Sequence, residues 1–269
     1  MIFRYHFPSL RDGDVKTKVK IFTAFQNYSI AHAPRELALR MWIATDEFDI
    51  RGAYWGNIEE FHRVFQLFLD ALPVQPLAEI GVHSWLNSLY HLANSKDLIQ
   101  PETYTAHDTF FAKSLVAPDP LAPKALERFF SFLSAHRSGE LVPVKWWVIC
   151  ELNGGNESEV SAHSLEEAAY AGRDALWTFQ MYSMTADMQP PYPQEGVRFM
   201  ERMWGVMPGE QRMGWRAYPN YVDDSLEKGR ALKWYYGELL RRLGKVKRQF
   251  DPGEMFWNPQ SVGVAHEGE

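Results

Sequence analysis

The sequence predicts an α+β fold in which an antiparallel sheet is covered on one face by helices. Three observations lead there. Strand-like and helix-like segments interleave with no regular βαβ rhythm, no glycine-rich phosphate loop follows a strand, and the long apolar run Val144 to Leu152 has strand length and closes on turn residues.

Taken in order, Val15 to Phe25 alternates loosely between polar and apolar residues. Pro34 opens a segment that looks helical at its start, with proline first and Glu36 in the first turn, and helix and strand remain open as far as Ile43. Met41 to Thr45 and Arg51 to Trp55 are strand-like by residue type. Ile58 to Leu72 is a helix, because Ile58, Phe61, Val64, Phe65, Phe68 and Leu72 recur at three and four before Pro73 stops them. Ser84 to Ala93 is a shorter helix with Ser84 as its cap. Phe110 and Phe111 lead to Lys113-Ser114, taken as a strand end. Pro118, Pro120 and Pro123 form the loop before a helix from Lys124 to Ala135. Val144 to Leu152 is a strand ended by Asn153-Gly154-Gly155-Asn156, where glycine can take positive φ. Leu176 to Tyr182 is a further strand, Gln194 to about Gly205 a helix, and Leu226 to Gln249 a last helix ended by Asp251-Pro252-Gly253.

Composition bounds the partners. In 269 residues, 46% are hydrophobic and 23% charged, which supports a packed core and excludes disorder. The net charge of −6 and the lack of any basic stripe argue against nucleic acid. No run approaches the roughly 18 apolar residues of a membrane span, and charged residues among the first twenty break any secretory core, so no export signal is readable and the compartment stays open. The single cysteine, Cys150, lies in an apolar run, where a buried small hydrophobe is the expected role. The nine histidines form no H-x-x-x-H or H-E-x-x-H pattern, so no sequence-local metal site is expected. Ten Trp, twelve Tyr and seventeen Phe fill cores, and such rings also line sites for sugars, flat ring systems or flavins.

One stretch is more specific. It runs Tyr218-Pro219-Asn220-Tyr221-Val222-Asp223, Trp234-Tyr235-Tyr236-Gly237, Arg242-Leu243, Lys245-Val246-Lys247, Phe250-Asp251-Pro252 and Phe256-Trp257-Asn258-Pro259-Gln260-Ser261. This ordered series resembles the C-terminal signature of berberine bridge enzyme-like and glucooligosaccharide oxidase-like flavin oxidases: a Y-x-N-Y-x-D turn, a Y-G helix start, R-L, K-x-x-x-D-P and a closing F-x-x-P-Q-S. Upstream, Phe110 to Ser114 resembles the family's F-x-K-S strand, Glu151 to Gly155 its strand-to-turn element, Ala169 to Arg173 an A-x-x-H-R element with Gly172 in place of histidine, and Gly52 to Gly56 a G-x-x-x-G segment.

The resemblance implies a division into a substrate-binding domain at 1–210 and a C-terminal segment at 211–264 that docks on a flavin module. That module links FAD through a histidine in an R-x-G-G-H context and often through a cysteine; neither context is in this chain, so the module that holds most of the FAD is expected to lie outside it. Tyr221 is implied as the base that takes the hydroxyl proton, Glu151 as the acceptor of the phenolic proton and Gln180 as the orienting group, while Tyr218 and Asn220 would contact the isoalloxazine. Each has a plain alternative: a turn pair for Asn220, a satisfied core phenol for Tyr221, a cross-strand ion pair for Glu151. The implied function is part of an FAD-dependent oxidase acting on an alcohol or hemiacetal of an oligosaccharide or secondary metabolite, with oxygen as acceptor and a separate flavin-binding chain as a candidate partner. The rival is a non-catalytic binding or remnant protein lacking its own flavin.

Overall fold

The computed structural model describes residues 1–10, 14–92, 99, 107–136, 142–208 and 214–264. Alternation of large apolar with polar residues builds seven strands: β1 (Ile2–His6), β2 (Leu37–Ala44), β3 (Phe48–Tyr54), β4 (Leu77–Gly81), β5 (Phe110–Ala117), β6 (Val144–Leu152) and β7 (Trp177–Thr185). They form one sheet in the order β4-β1-β3-β2-β6-β7-β5, and every neighbouring pair is antiparallel. Residues directly opposite in such pairs share a face, so the register sorts every side chain to one of two surfaces.

The inner face carries Phe3, Tyr5, Met41, Ile43, Ile50, Val148, Cys150, Phe179 and Met181, all buried. Against it lie helices α1 (Val15–Ala31), α2 (Ile58–Asp70), α4 (Pro123–Ser134) and α6 (Gln194–Val206); the small helices α3 (Trp85–Leu92) and α5 (Glu159–Ala162) are peripheral and bury nothing. Aromatic rings join the layers: Phe22 and Phe25 of α1 pack on Trp177 at 5.7 and 5.2 Å, and Phe61 and Phe65 of α2 on Phe3 at 4.8 and 5.2 Å. The buried Gln26 is satisfied by the backbone of Leu121 and by the Trp177 indole.

The expected class stands, and so do the helix at 58–70, the strand at 144–152 and the helix at 194–206. Several elements differ. The loose alternation after Val15 belongs to α1: Asp14 caps it by accepting from the Thr17 amide, and Val19, Phe22, Gln26 and Ser29 recur at three and four, a stripe that strand-length inspection misses. The proline-led stretch is a turn into β2, because Leu37, Leu39, Met41 and Ile43 alternate inward. Lys113-Ser114 lies in the middle of β5, not at its end. The last helix is two, α7 (Lys228–Tyr236) and α8 (Leu240–Phe250), because Gly237 takes φ 49 and a 3₁₀ turn follows; Tyr236-Gly237 therefore closes one helix and leads into the next. β1 and β4 carry no sequence expectation of their own.

Candidate active site

The outer face of the sheet carries charged and polar side chains beside a row of aromatic rings. Arg40 of β2 stands directly opposite Glu151 of β6 and Arg51 of β3, while Glu151 also faces Thr178 of β7. One pair further along, Gln180 lies between Ile149 and Ser114 on the same face. A cavity of about 820 Å³ opens here, lined among others by Arg4, Arg40, Arg51, Glu79, Glu151 and Asn153, which is within the usual range for a small-molecule site.

Its floor is held by a buried charge cluster. The Asp49 carboxylate is fully buried and receives Arg4 Nε at 2.8 Å and Arg51 at 2.6 Å, with His6 Nδ1 2.6 Å from its other oxygen. Burial would raise its pKa, but the hydrogen bonds from His6, Arg51 and Arg4 and the Arg51 charge outweigh burial and hold it below the usual carboxylate range. Arg51 also lies 4.5 Å over the Trp42 ring, and a stacked file continues from Trp42 to Trp147 (5.8 Å), Tyr182 (4.3 Å) and Phe110 (5.0 Å).

The C-terminal segment reaches the same face around the β5 edge. Tyr221 closes a turn by donating its amide to the Tyr218 carbonyl at 3.0 Å, and the two rings meet edge-on at 5.1 Å. Asn220 donates its carboxamide to the Tyr218 hydroxyl at 2.8 Å. Tyr218 packs edge-on against Tyr170 at 6.0 Å; Asn153 donates to the Tyr170 hydroxyl at 3.0 Å and to Thr178 Oγ1 at 2.7 Å. Tyr221 is partly exposed and within electrostatic reach of Glu151. Burial first, then the Glu151 charge and Tyr218, raise its phenol above the ordinary value, and Arg40 works the other way.

Of the residues expected from sequence, Tyr221, Glu151, Gln180, Tyr218 and Asn220 therefore share one side of the molecule. No hydrogen bond joins Tyr221 to Glu151, and the Gln180 side chain makes none among the described residues. Sequence reasoning missed Arg40, Asn153, Tyr170 and Thr178. The alternation Leu37-Ala38-Leu39-Arg40 signals that Arg40 points away from the core, but only the β2–β6 register shows what it faces. Gly172 replaces the usual histidine without opening the backbone to a ligand: a methyl there would meet the Tyr170 hydroxyl at 2.7 Å. Cys150 is fully buried on the inner face, where burial pushes its thiol well up, so it plays no part here.

A family model described as "Berberine and berberine like" matches residues 217–263. Glucooligosaccharide oxidase from Sarocladium strictum is 30% identical over 257 residues, covering 92% of this chain and 50% of its own length. Among solved structures, the carbohydrate oxidase of Microdochium nivale in complex with a substrate analogue superposes with a TM-score of 0.87 at 28% identity, over 98% of this chain and 56% of that one. Xylooligosaccharide oxidase from Myceliophthora thermophila in complex with xylobiose gives 0.86 at 27%, over 98% and 55%. The chain spans about half the length of the curated relatives it matches. By its C-terminal segment, its sheet and its relatives, this chain is similar, over about half of their length, to berberine bridge enzyme-like oxidases of the glucooligosaccharide oxidase-like group.

Proposed function

We propose that this chain supplies the substrate-facing sheet and the reacting phenol of an FAD-linked oxidase that oxidises an alcohol or hemiacetal carbon of an oligosaccharide. One observation carries the reading: Tyr221 is delivered to the same open face that presents Glu151 and Gln180 beside a cavity of about 820 Å³. Among the described residues, the side chains of Glu151 and Gln180 have no hydrogen-bond partner, which leaves both available to a ligand. The relatives named glucooligosaccharide, chitooligosaccharide and xylooligosaccharide oxidase support the substrate class.

The residues fit a flat ring system. Tyr218 and Asn220 stand at the exposed corner, and the Trp42 indole N–H is buried in the outer face with no acceptor among the described residues. A bound flavin supplies the two-electron acceptor for the carbon being oxidised. This chain's own residues bind and move the proton. Tyr221 takes the hydroxyl proton as its phenolate, and Glu151 accepts the phenolic proton that Tyr221 must first lose. A charged Glu151 disfavours the phenolate, so it assists by taking up that proton and not as a fixed neighbouring charge; Arg40 stabilises the phenolate. Gln180 orients the substrate hydroxyl. The parts of the flavin site not provided here are assigned to a flavin-binding region, in the same gene product or as a separate chain, on which the C-terminal segment at 211–264 docks.

The test is to combine the chain with a flavin-binding region and follow oxidation of cello-, chito- and xylo-oligosaccharides. Tyr221→Phe is expected to lower kcat at least 100-fold with the flavin absorbance bands retained. Undiminished turnover removes Tyr221 as the base, and oligosaccharide binding without any turnover favours a non-catalytic ligand-binding protein.

A further inference from the structure

The Y-x-N-Y corner is not a free loop. It is fastened to β5, the edge strand of the sheet, at three successive points. Val116 and Arg216 exchange both backbone hydrogen bonds, at 2.8 and 3.0 Å. Two residues back along β5, Ser114 Oγ accepts the Tyr218 amide at 2.9 Å. Next to it, on the opposite face of the strand, Lys113 Nζ lies 2.6 Å from the Asp223 carboxylate, and both side chains are only 3% exposed. Tyr221 sits between the second and third attachments, while Val222 beside it projects into solvent.

The third attachment is elaborate for a surface segment. Ser225 Oγ accepts from Lys113 at 2.8 Å and donates to Asp223 at 2.6 Å, and its amide donates to the same oxygen at 3.0 Å. The Asp223 amide donates to the Tyr235 hydroxyl at 2.8 Å, and its carbonyl accepts from the Gln260 carboxamide at 2.7 Å. The ammonium lies over the rings of Phe111 and Trp204 at 5.4 and 5.3 Å. Removing both charges from water is costly, and an apolar pair of equal volume commonly stabilises as well or better. What a buried pair adds is register: one carboxylate can meet this ammonium in only one alignment of the two segments.

We propose that Lys113, with Asp223 and Ser114, is a positioning clasp that sets the placement of Tyr221 on the outer face. It acts on the phenol through the backbone of the corner and touches no substrate. The proposal rests on reading Tyr221 as the reacting phenol. Groups around that ring are Glu151 and Tyr218, which oppose its ionisation, and Arg40, which favours it; release of the corner withdraws the ring from burial and from all three.

The experiment uses the full chain labelled with [¹³Cζ]tyrosine, the Tyr221 resonance being assigned with Tyr221→Phe. Lys113→Met breaks the pair, Lys113→Met/Asp223→Leu replaces it without a lone buried charge, and Lys113→Arg keeps the charge. In the first two, the Tyr221 resonance is expected to move and its titration midpoint to fall towards that of a free phenol, ~10. Lys113→Arg should largely restore both. Tyr5, in the inner-face core and pushed up by burial to about 12, should not move. A Tyr221 signal unchanged in either folded variant, or one that shifts only together with Tyr5, overturns the clasp. If neither Lys113 variant folds, Ser114→Ala decides: a smaller shift of Tyr221 alone supports the proposal, and no shift overturns it. Turnover of Tyr221→Phe tests the reading of the phenol separately, so a failure there leaves the NMR outcome intact.

Discussion

Asp49 shows how one residue shapes the cavity floor. It sits among two arginines and a histidine with no exposed surface, so its charge is compensated entirely by hydrogen bonds. Asp49→Ala removes the acceptor that Arg4, Arg51 and His6 share, leaves the two partly exposed arginines only Glu47, and is expected to cost about 1–3 kcal/mol in urea unfolding. The pH dependence follows from the sign of the shift. A carboxylate held below its unfolded value stabilises the native state above that value, and the stability is lost as pH falls through the lower, folded one. Wild-type stability should therefore begin to drop below pH ~4, and Asp49→Asn should flatten that limb of the curve. An equally steep acid limb in Asp49→Asn would assign the loss to other carboxylates. Arg40 belongs to the same scale: Arg40→Met is expected to raise the Tyr221 phenol further, and Glu151→Gln to lower it, both readable by the tyrosine ¹³C titration.

At the scale of the element, alternation does the sorting. In β6, Val144, Trp146, Val148 and Cys150 turn inward, while Lys145, Trp147, Ile149 and Glu151 turn outward, so one strand contributes both to the core and to the site. Gly52 in β3 explains part of the G-x-x-x-G segment. A methyl group there would strike the Ala38 carbonyl oxygen of β2 and come within 2.5 Å of the Phe3 ring. Gly52→Ala should accordingly cost about 1–3 kcal/mol, seen as a lower denaturation midpoint at unchanged m-value; an unshifted midpoint would mean that β2 and β3 separate freely. Gly155 takes φ +116 at the turn after β6, a conformation that an L side chain rarely adopts, and so turns the chain away directly behind Glu151 and Asn153.

Over the whole molecule, the two faces of one sheet have different work. The inner face and the helices form a ring-rich core, and the outer face gathers charges, the stacked file and the Y-x-N-Y corner. Trp147 is sandwiched between Trp42 and Tyr182, so its faces are covered and the file presents edges to any ligand. The Trp42–Trp147 pair, 5.8 Å apart and only 14° from parallel, should give an exciton couplet in the indole region of the circular dichroism spectrum. Trp147→Phe is expected to abolish the couplet while preserving the far-ultraviolet signal; a couplet that persists would place its source among the other tryptophans. The C-terminal segment bridges to the β5 edge at Val116 and Arg216 before the Y-x-N-Y corner, which is how residues more than sixty apart in sequence, Glu151 and Tyr221, come within electrostatic reach of each other.

The amino-acid sequence alone determined the α+β class, the strongly periodic helix α2, the apolar strand β6 and the ordered motifs of the last fifty residues, because each depends on local period, turn chemistry or residue order. It also named Tyr221, Glu151 and Gln180, through resemblance. Tertiary structure decided what those residues meet. Arg40 faces Glu151 through strand register, and Lys113 reaches Asp223 because the chain closes around a sheet edge; in α1 and β2, packing against the sheet overrode ambiguous local signals. Local preferences act over a few residues, whereas the site is made by contacts between segments that only the folded chain brings together.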